Sequence, residues 1–319
     1  MTDNKDLRAM LAIPPNFFSM STGLAGLAGV WRLGAKLYEL PALIGNGLYW
    51  LTSILFAFLV LAFVIKLMVQ PRQVWADLAH PVQGPFYALL PVSGMLLAQG
   101  FLPTAQPAAT LLFFSFFGMA LLLGGWMTGQ WIAGGLDVDV LHPAYIIPTI
   151  TSGLVAAEGA ARFGSPAMGW MSFGVGVLSF LILYPFILYR LFRSRLPTPL
   201  IPTLAILMSP PIVAGNAYFA LSNDAADGFA FGLAGGALLM ALMQVRFLPI
   251  YRRLTFTHGF WAFTFPCAAA ATFAIRWLNL LLPENDEALG LGILAGLTLL
   301  IGGIAVRSIV SRCQALKQS

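Results

Sequence analysis

Ten apolar stretches, joined by short polar connections, fill almost the whole of this 319-residue chain. They fall at roughly 16–33, 45–69, 85–102, 108–132, 143–162, 168–192, 200–221, 228–250, 257–281 and 288–310. A run of about 20 apolar residues is what an α-helix needs to cross the hydrocarbon of a bilayer. The composition agrees: 59% of residues are hydrophobic and 9% are charged, whereas a soluble domain carries about 25% charged residues. With a mean hydropathy of +0.84, the chain reads as an all-α integral membrane protein. The transmembrane domain spans 16–310, between a polar segment 1–15 and a tail 311–319. The opening residues lack the apolar core and cleavage site of a signal peptide.

Four prolines organise the stretches. Pro91, Pro148, Pro210 and Pro266 lie deep inside the third, fifth, seventh and ninth, separated by 57, 62 and 56 residues. A proline inside a helix removes one backbone hydrogen bond and crowds the preceding turn. In lipid, a freed carbonyl is costly unless protein or water satisfies it. Kinks at a near-constant period therefore predict helices that bend around a shared interior. The first stretch (FFSMSTGLAGLAGVW, 17–31) belongs with these four, with Ser21, Thr22 and Gly23 standing in for the proline. The even stretches, such as LYWLTSILFAFLVLAFVIKL (48–67), carry bulkier side chains.

The repeating unit is thus an odd–even helical hairpin of about 60 residues, present five times. Units that enter a membrane in the same direction can be related by rotation about the membrane normal. The predicted architecture is ten transmembrane helices as five hairpins in quasi-fivefold arrangement, with an inner ring of odd helices around a central pore. Small residues favour close backbone approach within that ring. Gly23, Pro91, Pro148, Pro210 and Pro266 are the expected pore-lining kinks. Phe18, Phe86 and Tyr145, early in their odd stretches, are pore-lining candidates.

Charge sets the orientation. The side shared by the N-terminus, the connections after even stretches and the C-terminus carries thirteen Lys and Arg residues; the other carries only Arg32, Lys36, Arg162 and Arg276. The positive-inside rule places both termini in the cytoplasm, in a multi-pass protein of the cytoplasmic membrane. This bias accounts for the net charge of +5 without a nucleic-acid partner.

The mid-span regions of the odd stretches contain no charged residue, so the interior suits weak binding and conduction rather than tight capture. Lys66, Glu158, Arg162 and Arg276 sit near stretch ends, where side chains reach the interface. No nucleophile elbow, zincin motif or metal-ligand spacing is present. The expectation is a non-enzymatic protein without metal or cofactor. Trp261, Phe263 and Phe265 at the ninth-stretch kink either pack between helices or plug a narrow pore.

The order HP…FYALLP (80–91), PAYIIPT (143–149), PTLAILMSPPIVAGNAYF (202–219) and GFWAFTFP (259–266) resembles the tellurite-resistance/dicarboxylate transporter (TehA) family, related to plant guard-cell slow anion channels. The resemblance covers about 15–310. It implies a homotrimer with one pore per protomer, lined by odd helices and occluded by a phenylalanine of the ninth span. Phe265 is the best match for that gate, with Phe263 as second choice. Plant members carry long regulatory tails, and this chain's ends are short.

The implied activity is conduction of small inorganic anions or dicarboxylates through a Phe-gated pore. The alternative is a proton-coupled C4-dicarboxylate (malate-type) transporter with a tellurite-resistance phenotype.

Overall fold

The computed structural model describes residues 13–283 and 286–318. Most of the expected segment 1–15 therefore lies outside the described residues. Eleven α-helices, short 3₁₀ and π turns, and no strand make up what is described. The α-helices are α1 Phe18–Leu37, α2 Ala42–Val69, α3 Pro71–Ala79, α4 Leu89–Phe101, α5 Gln106–Ala133 and α6 Ser152–Arg162. They continue with α7 Pro166–Arg193, α8 Ser209–Ser222, α9 Gly228–Tyr251, α10 Thr264–Leu281 and α11 Asp286–Gln318. The last helix runs on through the expected tail boundary at 311.

Six helical stretches are long and apolar enough to cross a membrane by length and composition: α2, α5, α7, α9, α11 and the continuous Thr198–Ser222. The other odd stretches miss this mark for a physical reason. Non-α turns shorten two of them: α4 keeps 13 residues and α6 only 11. Gly, Ala, Ser and Thr dilute α1 and α10.

Burial separates two layers. The five long helices bury between 11% and 28% of their most apolar stretch, while Thr198–Ser222 buries 78%. Ten of the 13 residues of α4 and 11 of the 14 in α8 are also buried. The outer helices turn large apolar side chains outward, including Trp50, Ile54, Leu122, Ile132, Phe192 and Leu299. Apolar surface on this scale is unsuited to water and suits lipid. A 28-residue helix is about 42 Å long, enough to cross a bilayer with tilt. The protein is a multi-pass helical membrane protein.

Among the inner elements, α1 packs on α4, α4 on α6, α6 on α8, α8 on α10, and α10 back on α1. Each also packs on the outer helix that follows it in the chain.

The prolines mark a change of helix type. Gly84–Ala88, Thr198–Met208 and His258–Phe263 are 3₁₀ turns running directly into α4, α8 and α10. Pro143–Ile146 runs through a π turn, Ile147–Thr151, into α6. Pro91, Pro210 and Pro266 fall in the first turn of the α-helix, where a missing N–H is tolerated. The first stretch makes the same change earlier, from Pro15–Phe17 into α1. Gly23, expected at a kink, lies instead inside an unbroken helix. Its place is set by packing: a Cβ there would collide with the hydroxyl of Thr264. The neighbouring Ser21 and Thr22 bond to Ser93 Oγ of α4 at 2.9 and 2.6 Å.

Outside the spans, α3 is pinned by Asp77. Lys66 Nζ donates to its Oδ2 at 2.7 Å and Gln73 Nε2 to its Oδ1 at 2.8 Å. Burial acts to raise the Asp77 pKa, but these donors and the Lys66 charge outweigh it and hold the carboxyl below its ordinary value. The pair therefore contributes stability above the unfolded carboxylate pKa and loses it as pH falls through the lower folded value. Acidifying below about pH 4 is expected to speed amide exchange across 71–79 before the helical core responds. Equal exchange there at neutral and acidic pH, after correction for intrinsic rate, would count against the tether.

Candidate functional site

Two cavities lie end to end along the inner elements. The first, of about 380 Å³, sits where these elements begin. All five contribute, with Thr22, Phe86, Thr151, Ser209 and Phe265 among the lining residues. The second, of about 560 Å³, sits where they end, and again all five contribute. Among the described residues, Phe265 alone lines both.

Helical periodicity explains how single elements serve both spaces. Phe265, Ala268, Ala269, Thr272 and Arg276 form one stripe of α10, recurring every three or four residues. Gly26, Gly29, Leu33 and Lys36 form the matching stripe of α1. The two stripes meet closely. A Cβ on Gly26 would stand 2.7 Å from that of Ala268 and 3.8 Å from Cδ2 of the Phe265 ring. The absent side chain of Gly26 thus leaves the space beside that ring.

The cavities differ in chemistry. No Lys, Arg, Asp or Glu lines the first among the described residues; its polar groups are hydroxyls, amides and His258. Ser209 is 1% exposed, and its Oγ has no hydrogen-bond partner. The second cavity collects Arg32, Lys36, Arg162 and Arg276 against Glu158 and Asp224. Arg162 Nη2 donates to Glu158 Oε1 at 2.6 Å, and Arg276 Nη2 lies 3.6 Å from the same oxygen. Arg32 lies 4.2 Å over the Tyr49 ring, and its Nε donates to Asn46 Oδ1 at 2.9 Å. Arginines at helix C-termini also complement the helix dipole.

The expected site residues separate into two groups. Phe265, Pro266 and Phe86 line the first cavity. The others line neither cavity. Phe263 packs on Tyr251, ring centres 4.7 Å apart, and faces a groove between α9, α10 and α11. Phe18 is buried against Phe56 at 6.0 Å. Tyr145 donates to the carbonyl of Pro81 at 2.8 Å and packs on Trp131. Pro91 and Pro210 are buried between helices, and Pro148 faces a groove beside α5. A proline's place in the first helical turn is set by its backbone, whereas the direction it faces follows from the helix rotation.

The charged cluster was missed in the sequence. Their positions near stretch ends suggest the interface for Glu158, Arg162 and Arg276, and the structure brings all three into one cavity. A signal existed: Arg276 lies 11 residues after Phe265, about three helical turns along the same face.

A lipid-facing helical bundle with two cavities end to end along its inner helices, each carrying polar groups in a largely apolar lining, has the build of a membrane transport protein. The SLAC1 family model, described as a voltage-dependent anion channel, matches residues 12–309, and the chain belongs to that family. The chain is 26% identical to the tellurite resistance protein TehA homolog of Haemophilus influenzae over 269 residues, covering 84% of this chain and 82% of that protein. It is 24% identical to the S-type anion channel SLAH3 of Arabidopsis thaliana, covering 97% of this chain but 50% of the plant protein. An uncharacterized transporter of Methanocaldococcus jannaschii, MJ0576, is 24% identical over 80% of each chain. The family places the chain among anion channels and transporters.

Proposed function

We propose that this protein is an anion channel or channel-like permease of the cytoplasmic membrane, with both termini cytoplasmic. In this reading ten helices cross the bilayer as five hairpins in quasi-fivefold order. The inner elements surround one pore per protomer, and the protein assembles as a homotrimer. The first cavity faces the cytoplasm and the second the opposite side. The Phe265 ring closes the passage between them.

One observation carries this reading: both cavities draw on all five inner elements, and they meet at Phe265. The physics of weak binding supports it. Neutral hydroxyls and amides can replace part of an anion's hydration in the first cavity without trapping it. The α-helical parts of the inner elements begin beside that cavity, so their positive dipole ends favour an anion there. The second cavity has two more cationic than anionic side chains, which raises the local anion concentration. Currents from the purified protein in planar bilayers, with chloride, nitrate and malate in turn, test the reading. Anion-selective currents are expected; cation selectivity or silence in every salt contradicts it.

Glu158 favours a second reading, proton-coupled C4-dicarboxylate transport with a tellurite-resistance phenotype, because it puts a protonatable carboxylate on the path. Malate accumulation in liposomes driven by a pH gradient supports that reading; passive equilibration supports the channel.

A further inference from the structure

We propose that Glu158 is a built-in anion: its carboxylate occupies a two-arginine seat in the second cavity and competes there with the permeating anion. The inference rests on the channel reading and names how its outer site is tuned.

The seat is defined by geometry. Glu158 and Arg162 stand one turn apart on α6, and Arg276 reaches across from α10. A single carboxylate oxygen bridges the two guanidinium groups, at 2.6 and 3.6 Å. The side chains of Glu158 and Arg276 are 14% and 16% exposed, so the contact is shielded from bulk water. Arg162 is 41% exposed and keeps donors open to the cavity. Arg276 is steadied from behind, its Nη1 donating to the carbonyl of Asn216 at 3.3 Å.

Two guanidiniums converging on one oxygen form a site for a carboxylate or another small anion. Left free, they would hold an anion tightly and slow its exit. With Glu158 in the seat, the cluster keeps one net positive charge, and an arriving anion must share or displace the internal one. Conduction requires this compromise between attraction and release. A purely structural Glu158 would serve only to offset the charge of the half-buried Arg276 and its neighbour Arg162.

The test uses three variants: Glu158→Gln, Arg276→Gln and Asp224→Asn. Asp224 lines the same cavity without touching either arginine in an ion pair, and its φ of 59° suits asparagine. The last variant therefore removes the same charge but leaves the seat occupied. In bilayers, Glu158→Gln is expected to lower the half-saturating chloride concentration roughly fivefold or more, and only for chloride added at the second-cavity face. Arg276→Gln is expected to raise it, which keeps the idea testable should Glu158→Gln fail to assemble. Asp224→Asn should shift it less than Glu158→Gln. A parallel titration of the purified proteins with sodium chloride, with ionic strength held by the sodium salt of a bulky sulfonate buffer rather than a carboxylate, reads binding by melting temperature. Glu158→Gln should saturate at lower chloride there too. Equal half-saturation in Glu158→Gln and the parent, or equal shifts in Glu158→Gln and Asp224→Asn, overturns the seat. Absence of anion current in every protein refutes the channel reading instead, and the melting titration still decides the seat.

Discussion

Replacing Phe265 with alanine is expected to raise anion conductance roughly tenfold or more, because among the described residues Phe265 is the one side chain shared by the two cavities. A phenyl ring bars a narrow passage in two ways. It fills space, and it presents an apolar surface that an anion cannot use to replace its hydration. Alanine clears the passage while keeping the helix, since its helix propensity is the best of all residues. The neighbouring Pro266 and the tight α1–α10 contact remain, so the backbone around the opening should hold. Phe263→Ala is the matched control. Its ring packs on Tyr251 and faces away from both cavities, so its loss should weaken local packing and leave conductance near the parental value. Bilayer currents from the two variants, normalised to protein incorporated, check this. If Phe263→Ala opens the pore and Phe265→Ala does not, the assignment of the gate is reversed.

Replacing Gly23 with valine is expected to destabilise the protein by about 1–3 kcal/mol, the usual range for forcing extra volume into a packed interior. A Cβ at Gly23 would overlap the Thr264 hydroxyl, and that hydroxyl cannot easily move away. It donates to the carbonyl of Trp261 at 2.7 Å, at the point where the 3₁₀ turn becomes α10. Trp261 is tied in turn to Ser308 of α11, its Nε1 donating at 2.9 Å. Separating α1 from α10 would therefore disturb the start of the helix that carries Phe265. Gly232→Ala on the outer helix α9 is the control, since a Cβ there meets nothing within 4 Å. Its effect should be neutral to stabilising by up to about 1 kcal/mol, since alanine favours a helix more than glycine does. Melting temperatures in one detergent check both, and equal melting of Gly23→Val and Gly232→Ala would contradict the packing account.

The layering of the fold was legible because lipid and protein select different side chains. Phe192 and Leu299 can face hydrocarbon, whereas Gly23, Gly26 and Ala268 make sense only where backbones touch. Pro91, Pro210 and Pro266 marked the starts of α4, α8 and α10 for a backbone reason and so could be read without neighbours, whereas Pro148 fell in the π turn before α6. The direction each residue faces was less legible. An inner helix packs on neighbours on several sides, so its small residues are spread around it and do not by themselves single out the cavity face. Phe18, Tyr145 and Pro210 read like wall residues and turned out to be packing residues. The cluster of Glu158, Arg162 and Arg276 joins residues more than 110 positions apart, and only the approach of α6 to α10 across the cavity unites them.

The proposed passage runs through both cavities and is interrupted at Phe265. Its most direct test is sided labelling of Thr272→Cys, about two helical turns beyond Phe265 on the same stripe in the second cavity, in a background with Cys267→Ser and Cys313→Ser. A small, membrane-impermeant anionic thiol reagent is added to either face of oriented vesicles. With Phe265 present, labelling is predicted only from the face of the second cavity; with Phe265→Ala added, it is predicted from both. Labelling from both faces with Phe265 in place, or from one face only after its removal, would contradict the account.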